Sequence, residues 1–400
     1  MIRSTKTSLE FSNTEKLNQL HSFLEEYRTV VSKFVDILWT EEKISPLIPN
    51  EITSQITTWL SARAIQCAAK QASGIVRGTR TKQNRRLWQI NKFIKDGCAK
   101  KARKLQRIYD NIKQSKPNID NVECELDARF VEINLNNQTS FDGWITLTCL
   151  GNKLKLELPF KKHKHFNKIL ENGKIKTGVR LSKKNITFMF DIEDINLRNE
   201  GTTLGIDIGQ TTTLSCSDNQ SLDSCPHGHN YATICAKLAR KKKGSKAFGR
   251  SETHRSNYLH YIVNKLNLDG VRIVNRENIK NLRKFSNTSR KLKHWNYAEL
   301  FDVLDNKLVE QGVLVNKVNP TYTSQRCSMC GWTRKANRKG KQFKCDKCFH
   351  EQDADLNASK NLALNLISIK KLERLQHKNR IGFYWNVVGK EPIVSCVQKS

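Results

Sequence analysis

The sequence has no long uninterrupted apolar run. A membrane-spanning helix needs about 20 consecutive apolar residues, and no such segment occurs among the 400 positions. The opening stretch MIRSTKTSLEFSN lacks the apolar centre of a secretion signal. No lipidation motif is present either. We therefore expect neither a membrane protein nor a secreted one.

Acidic residues are scarce relative to basic ones. The chain has 38 Asp and Glu against 70 Lys and Arg, which gives a formal net charge of +32. An excess of this size, spread over most of the chain, is typical of proteins that bind or process nucleic acids, and it predicts a polyanionic partner. The alternative is a solvated surface without such a partner. The length allows two or more domains with cores of their own.

Four of the twelve cysteines are closely spaced. Cys327, Cys330, Cys345 and Cys348 form two Cys-x-x-Cys pairs with fourteen residues between them. Four thiolates at this spacing close a tetrahedral, structural Zn²⁺ site, and free thiols or a disulfide are the alternatives. No open coordination position is implied, so we assign this zinc no chemistry. The loop between the pairs is rich in Lys and Arg, which predicts phosphate contacts.

A second stretch, CPHGHN, imitates a metal site. Cys225, His227, His229 and the nearby Cys235 carry suitable ligand atoms. Their spacing matches no established metal-binding pattern. An ordinary loop is therefore the favoured interpretation.

The amino-terminal half changes character twice. Residues 1–12 alternate weakly, as a strand does. From Thr14 apolar residues recur at steps of three and four, which predicts a helix, and a second helix is predicted over 51–74. A basic segment with interleaved aromatics follows, and after Val122 the period becomes two, which predicts antiparallel strands. If the first strand joins these, the helical block 14–117 is an insertion into a β-barrel.

In the carboxyl-terminal half, the stretch TTLGIDIGQ is predicted to be a strand. The apolar residues within 204–208 share one face, and Gly205, Asp207 and Gly209 share the other. An aspartate in mid-strand is unfavourable unless its charge is needed. The glycines leave room for a metal ion and a phosphate to approach. An acid on an edge strand that faces water is the alternative.

Two further acids are candidates for the same site. Glu277 lies just past the short apolar strand that begins at Val271, although an ordinary surface glutamate fits as well. Asp355 lies at the N-cap or first turn of a helix in DLNASKNLALNLISI, where capping alone explains it. Asp353 is a bystander or a supporting residue. The apolar positions of that helix are expected to be Leu356, Ala363, Leu364 and Ile367.

The order of hairpin, basic helix, strand, helix, strand and final helix fits a ribonuclease-H-like α/β domain. That architecture brings acids from the first strand, a later strand and the final helix to one point. Two Mg²⁺ ions, about 3.5–4 Å apart, can then clamp the attacking and leaving oxygens of a phosphodiester. Carboxylates suit Mg²⁺ because it is a hard cation.

Four motifs resemble the TnpB family of transposon-encoded nucleases and the related miniature type V CRISPR effectors. They are GIDIG at 205–209, ENIKNL at 277–282, PTYTSQRCSMCG at 320–331 with FKCDKC at 343–348, and DADLNASKN at 353–361. The resemblance covers about residues 200–368 in motif order and spacing, and the amino-terminal half only in layout. Asn278 stands where the family usually has Asp, and the usual chain opening is missing. The tail after about 370 aligns with nothing.

The resemblance implies a Mg²⁺-dependent (or Mn²⁺-dependent), RNA-guided endonuclease for double-stranded DNA in the prokaryotic cytoplasm or nucleoid. Asp207, Glu277 and Asp355 correspond to the catalytic, metal-binding acids. A monomer or a homodimer would hold one guide RNA. A catalytically silent RNA-guided DNA-binding protein and a guide-independent transposon nuclease are the alternatives. Silent relatives usually lose one of the acids, whereas this chain keeps all three.

The resemblance also implies a multidomain α+β organisation. The predicted parts are a β-barrel wedge domain (1–12 and 118–198), a helical recognition domain (13–117), a ribonuclease-H-like RuvC domain (199–322 and 353–370), a zinc-finger (zinc ribbon) insertion that binds target nucleic acid (323–352), and a tail of unknown role (371–400). The predicted nucleic-acid contacts are Arg77, Arg80, Lys82, Arg85, Arg86, Lys101, Arg103, Lys104, Arg107 and Arg326.

Overall fold

The structure, a computed structural model, divides into two compact units, residues 1–194 and 195–400. It describes residues 1–112, 115–135, 139–279, 288–364, 366 and 381–385. Both units mix helices and strands, which confirms the predicted multidomain α and β composition. Among the helices in these ranges, none combines the length and the apolar character needed to cross a bilayer.

The first unit is built from antiparallel strands, with helices between the first strand and the second. Its elements are β1 (Ile2–Ser8), α1 (Thr14–Thr40), α2 (Asn50–Thr53), α3 (Ala62–Lys95), α4 (Ala99–Ile112), β2 (Cys124–Leu126), β3 (Val131–Asn134), β4 (Gly143–Leu147), β5 (Leu156–Phe160), α5 (Lys164–Glu171), β6 (Gly173–Leu181) and β7 (Asn185–Ile192). The strands pair in the orders β1-β7-β6-β2 and β3-β4-β5. Both sheets share one hydrophobic core with α1 and α3. Closure of these sheets into a barrel stays a prediction.

Helix α1 follows its apolar periodicity closely. Asn13 caps it by accepting a hydrogen bond from the Lys16 backbone N–H at 2.9 Å. The predicted stripe from Leu20 to Leu38 is buried, and Leu17 is half-buried. Since this stripe packs into the shared core, the helix prediction for this segment is confirmed.

The helix predicted over 51–74 is wrong in both boundaries. The short α2 ends at Thr53, and α3 begins only after Ser61, whose hydroxyl accepts from the Ala64 N–H at 3.1 Å. Leu60 instead forms a β-bridge with Gly151, a long-range contact that apolar periodicity cannot reveal. The helix then runs through Gly74, because a helical glycine costs only about 1 kcal/mol.

The second unit is centred on a mixed sheet. Its elements are β8 (Thr202–Ile208), β9 (Leu214–Cys216), β10 (Ser221–Leu222), α6 (Tyr231–Ala239), α7 (Lys246–Lys265), β11 (Val271–Glu277), α8 (Arg290–Lys293), α9 (Tyr297–Glu310), β12 (Leu314–Val318), β13 (Trp332–Thr333), β14 (Arg338–Lys339), β15 (Gln342–Lys344), β16 (Glu351–Asp353), α10 (Ala354–Ala363) and β17 (Phe383–Tyr384). The order of the main sheet is β10-β9-β8-β11-β12. Strand β11 is parallel to both β8 and β12, whereas β9 is antiparallel to β8.

The two faces of β8 have different neighbours, as the alternation predicted. Leu204, Ile206 and Ile208 belong to a core that includes residues of α6, α7 and α9. The other face lies under α10. A Cβ on Gly205 would stand 1.9 Å from the Ser359 carbonyl oxygen of that helix. The room beside Gly205 is therefore filled by helix backbone, which corrects the expectation that it admits a metal ion and a phosphate.

The buried face of α10 is largely polar, contrary to prediction. Asn357 and Asn361 are fully buried, whereas Leu356 and Leu364 are only half-buried. The predicted Ile367 lies outside the described residues. The amide side chain of Asn275 on β11 also donates to the Leu362 carbonyl at 2.8 Å. Helix α10 is therefore attached to its surroundings largely by hydrogen bonds.

Replacing Gly205 with Ala should destabilise the second unit. The added methyl group would collide with backbone atoms of α10, and overpacking of this kind costs about 1–3 kcal/mol. We expect a loss of at least about 2 kcal/mol in the free energy of unfolding, measured by urea denaturation.

Gly249→Ala in α7 is the matched control. A Cβ there meets nothing within 4 Å, so the substitution should stabilise the unit by about 0.5–1 kcal/mol. Equal effects at both positions would contradict the close approach of α10 to β8.

Candidate metal centres

The three predicted acids meet in the second unit. Asp207 lies on β8, Glu277 ends β11, and Asp355 lies in the first turn of α10. Their exposed fractions are 8%, 9% and 8%. The alternatives of a water-facing edge acid and an ordinary surface glutamate are therefore excluded. Because β8 and β11 are adjacent parallel strands, and α10 lies across β8, the fold itself brings the carboxylates together.

Burial and mutual repulsion favour protonation of this cluster. The pKa of Asp207 is raised well above its usual value by burial first, and then by the negative charges of Glu277 and Asp355. Burial also raises the pKa of Glu277 from 4.5 to about 7, although a hydrogen bond with Asp207 and the charge of Arg338 oppose that shift. Like charges this close cannot both persist without a counter-charge. Burial and proximity therefore favour the protonated forms of Asp207 and Glu277.

Two basic side chains bind the third acid. Arg338 Nη2 donates to Asp355 Oδ1 at 2.9 Å, and Lys341 Nζ donates to Asp355 Oδ2 at 2.7 Å. Lys341 also donates to the Thr212 hydroxyl at 2.7 Å. Both cations lie in the β14–β15 hairpin. Sequence reasoning assigned this basic loop to phosphate binding and missed its contact with the site.

The acids fit a divalent metal ion. Three carboxylates form the hard oxygen donor set that Mg²⁺ prefers, and their charge is balanced by protonation, by the Arg338 guanidinium and by the Lys341 ammonium. The three acids do not offer one oxygen each that all lie within 4.8 Å of one another. Among the described residues, the cysteines alone form a group with ligand atoms this close. A wider spread is compatible with two ions about 3.5–4 Å apart.

The N-cap of α10 is Asp353 rather than Asp355. Asp353 Oδ1 accepts from the backbone N–H of Asp355 at 2.8 Å and of Leu356 at 3.0 Å. Asp355 lies two residues after the N-cap, in the first turn of the helix. Its carboxylate does not cap the helix and can therefore point towards β8. The capping alternative therefore belongs to the neighbouring residue, and Asp353 is no bystander.

The four predicted cysteines form one cluster, in what we call the four-cysteine module (residues 323–352). Their sulfur atoms all lie within 4.8 Å of one another, including contacts of 3.6 Å from Cys327 to Cys348 and from Cys330 to Cys345. This cluster can bind zinc.

The CPHGHN stretch forms no comparable cluster. Its cysteine and histidines, with Cys235, do not bring three ligand atoms together within the described part of the chain. Cys225 and Cys235 instead pack in the core of the second unit. The loop interpretation is therefore the correct one.

Helix α10 also holds the start of the four-cysteine module. The Asn357 side chain donates to the Arg326 carbonyl at 2.7 Å and accepts from the Ser328 N–H at 3.0 Å. Asn361 donates to the carbonyls of Thr323 and Arg326 at 2.9 and 2.7 Å. The asparagines in DADLNASKN thus position the first cysteine pair, a role that sequence reasoning missed.

Arg326 is a packing residue in this structure. Its side chain is 5% exposed, and its guanidinium donates to the Asn361 side chain at 2.6 Å and to the Trp385 carbonyl at 2.7 Å. Burial lowers its pKa to about 10. Because the side chain is buried and its Nε and Nη1 groups donate within the protein, the structure gives no support to the predicted nucleic-acid contact.

Residues from the tail complete the module. Strand β17 pairs antiparallel with β13, and the Trp385 N–H donates to the Gly331 carbonyl at 3.0 Å. Phe383 and Trp385 are buried. Part of the segment for which no role was predicted therefore stabilises the four-cysteine module.

The predicted nucleic-acid contacts in the first unit differ in exposure. Arg80 is half-buried, and its guanidinium donates to the carbonyls of Trp39 and Glu42 at 2.9 and 3.0 Å. Arg86 is half-buried as well. The exposed members are Arg77, Lys82, Arg85, Lys101, Arg103, Lys104 and Arg107. Seven of the predicted contacts are thus exposed along α3 and α4.

Comparison with known proteins supports the resemblance. Residues 297–362 match the family model described as "Cas12f1-like, TNB domain". That range contains the four cysteines and Asp355 but neither Asp207 nor Glu277.

Each curated relative matches this chain over part of its length only. Over 114 residues the chain is 39% identical to the CRISPR-associated endodeoxyribonuclease Cas12f1 of Sulfoacidibacillus thermotolerans, covering 28% of this chain and 26% of that protein. Over 84 residues it is 36% identical to the putative RNA-guided DNA endonuclease InsQ of Escherichia coli (strain K12), covering 21% of each. The matched part therefore spans about a quarter of these relatives.

One solved structure shares the fold over nearly the whole chain. The mini-RNA-guided endonuclease CRISPR-Cas_phi3 aligns with a TM-score of 0.52 at 10% identity, covering 91% of this chain and 92% of that one. The resemblance to the TnpB family and the miniature type V effectors is confirmed by these three comparisons.

Glu277→Gln should change how stability depends on pH. In the parent protein the Glu277 carboxyl stays protonated up to about pH 7, against 4.5 ordinarily. A raised pKa of this kind stabilises the fold below pH 4.5, and that contribution is lost as the pH rises towards 7. Without added divalent cations, the free energy of unfolding of the variant should therefore rise relative to that of the parent by about 1–3 kcal/mol between pH 5 and pH 8.

Urea unfolding at both pH values measures this difference. At pH 5 the two proteins should differ little in this contribution, which provides an internal control. A stability difference that does not vary with pH would show that Glu277 ionises as an ordinary surface carboxylate.

Proposed function

We propose that this chain is an RNA-guided, Mg²⁺-dependent endonuclease that cleaves double-stranded DNA. The observation that carries the proposal is the meeting of three buried acids from β8, β11 and α10, beside a cluster of four cysteines. Curated proteins similar to part of this chain bear the names of CRISPR-associated or RNA-guided DNA endonucleases. The intact set of acids favours catalysis over a silent DNA-binding role.

In the proposed mechanism, Asp207, Glu277 and Asp355 hold two Mg²⁺ or Mn²⁺ ions. Bound there, such ions activate a water nucleophile and stabilise the leaving oxygen of a phosphodiester. The residues of the chain would fix the geometry: Asp207 and Glu277 would bind as carboxylates, without the protons that burial favours, and Asp355 would bind in place of its ion pairs with Arg338 and Lys341. Arg338 and Lys341, once released, remain beside the site as counter-charges for the phosphate.

The remaining parts would bind and position nucleic acid. We propose that the first unit is a β-barrel wedge domain with an inserted helical recognition domain, and that it holds guide RNA and reads a short flanking DNA motif. The seven exposed cations on α3 and α4 are suited to phosphates, and Trp88, which is 62% exposed, can stack on a base. The four-cysteine module would be a zinc ribbon with a structural Zn²⁺ ion. One guide would be held by a monomer or a homodimer.

Asp355→Asn should abolish DNA cleavage. The substitution keeps the shape of the side chain but removes a metal-binding charge from the site. We expect cleavage of a matched double-stranded target to fall to the limit of detection in Mg²⁺ buffer, with guide RNA still bound. The measurement is a cleavage assay on the chain co-expressed with its native flanking DNA, so that its own RNA co-purifies.

Asp353→Asn is the matched control. Asn is as good an N-cap as Asp, so cleavage should stay within a few-fold of the parent. Retained cleavage in Asp355→Asn would refute the proposed site. Specific cleavage that survives RNase treatment before DNA is added would instead favour the guide-independent nuclease, and target binding without any cleavage in the parent would favour the silent DNA-binding protein.

Lys341→Met should tighten metal binding at the acids. The Lys341 ammonium lies 2.7 Å from an Asp355 oxygen, so a metal ion that binds this oxygen has to displace it. Removing one like charge from beside the site should lower the Kd for Mn²⁺ by about threefold or more. Electron paramagnetic resonance of free Mn²⁺ measures this without guide RNA or DNA.

Lys344→Met on the same hairpin is the control, because Lys344 pairs with the exposed Glu351 instead. It should leave the Mn²⁺ affinity nearly unchanged. Weaker binding in Lys341→Met would show that the lysine supports the metal site rather than competing for it.

A further inference from the structure

The two cysteine pairs of the four-cysteine module repeat one backbone hydrogen-bond pattern. In each pair, the backbone N–H of the residue that follows the second cysteine donates to the carbonyl of the first cysteine. The backbone N–H of the first cysteine donates to the carbonyl of the residue two positions after the second cysteine. The bonds run from Gly331 to Cys327 (3.0 Å), Phe349 to Cys345 (3.1 Å), Cys327 to Trp332 (2.8 Å) and Cys345 to His350 (2.9 Å). Phe349 therefore occupies in the second knuckle the place that Gly331 occupies in the first.

That place requires a left-handed backbone. The φ angle is +80° at Gly331 and +58° at Phe349. Glycine adopts this conformation without strain, whereas a bulky residue there is an outlier. The Phe349 side chain is 71% exposed, so little burial compensates for the strain. The folding of the knuckle thus gives no reason for an aromatic residue at this position.

The surroundings of Phe349 indicate the kind of ligand. Residues 323–352 contain eight Lys and Arg but two Asp and Glu. Met329 in the first knuckle is 73% exposed, and these two are the most exposed large apolar side chains among the described residues of the second unit. An exposed aromatic ring within a basic surface is the combination that binds single-stranded nucleic acid, since cations contact phosphates and the ring stacks on a base.

We propose that Phe349 stacks on an unpaired base of single-stranded DNA that lies along the four-cysteine module, with Met329 as a second apolar contact. The inference rests on the proposed function in so far as that function supplies the single strand. It adds a specific residue and a specific contact, base stacking, to a surface that charge alone would assign to phosphates.

The test compares the full-length chain with Phe349→Gly and Phe349→Tyr. Fluorescence anisotropy is recorded with a single-stranded oligonucleotide and with an abasic strand of the same length. Phe349→Gly should weaken binding to the base-bearing strand by about fivefold or more, and should not alter binding to the abasic strand. Phe349→Tyr should keep the parent affinity. The Tm of the glycine variant should equal or exceed that of the parent, with zinc content unchanged.

Salt dependence separates stacking from charge. Because Phe349→Gly removes no charge, its plot of log Kd against log salt should keep the parent slope. Lys347→Met, next to the same knuckle, should reduce the slope by about one phosphate contact. Leu197→Gly removes another exposed apolar side chain outside the module, and it should change neither the Kd nor the salt slope.

A crosslink locates the strand independently. An oligonucleotide with 5-iodouracil should crosslink to Phe349 on irradiation, as identified by mass spectrometry of the parent. Absence of that crosslink, or equal affinity of the glycine variant for the base-bearing strand, would overturn the inference. Neither measurement requires cleavage, so both are made without added Mg²⁺. Failure of the nuclease proposal is therefore distinguishable from failure of this one.

Discussion

The contact between α10 and β8 at Gly205 determines the geometry of both candidate metal centres. Helix backbone approaches β8 so closely that no side chain fits between them. Because α10 is held at this distance, its first turn delivers Asp355 to the carboxyl end of β8, where Asp207 lies. The same helix presents Asn357 and Asn361 to the start of the four-cysteine module. One ten-residue helix thus fixes the acids and the cysteines relative to each other.

Charge balance explains why the acids and the module lie side by side. Three carboxylates buried together would be strongly destabilising without compensation, since each unpaired buried charge costs several kcal/mol. The β14–β15 hairpin supplies two cations to Asp355, and protonation relieves the pair formed by Asp207 and Glu277. The insertion that carries the cysteines is therefore also the source of the counter-charges for the acidic site. Metal ions would replace these protons and cations without a change of fold.

Much of the site could be predicted from the sequence because its signals are local. A glycine-flanked aspartate within an alternating strand, an acid at a strand end and two Cys-x-x-Cys pairs each occupy a few adjacent residues. The apolar stripe of α1 is similarly local, and its prediction is confirmed. The misplaced start of α3 shows the limit, since a β-bridge to Gly151 and a serine cap outweighed the periodicity.

The remaining features depend on contacts between distant positions. The sequence near Arg326 does not indicate that Trp385 and Asn361 accept hydrogen bonds from its guanidinium. The N-cap is Asp353 rather than Asp355, a difference of two residues in the helix start that sequence patterns do not resolve. The Gly205 contact likewise requires knowing that α10 packs across β8.

The polar face of α10 is explained by its two contacts, one with β8 and one with the start of the four-cysteine module. A helix that only filled a core would be stabilised by apolar side chains, yet Asn357 and Asn361 are fully buried here. Each amide satisfies backbone groups of the segment that leads into the first cysteine pair, and an unsatisfied buried amide would cost about 1–3 kcal/mol. The same helix hydrogen-bonds to the segment that leads into the first cysteine pair and carries Asp355 in its first turn. The positions of the cysteine cluster and of this acid are therefore physically coupled.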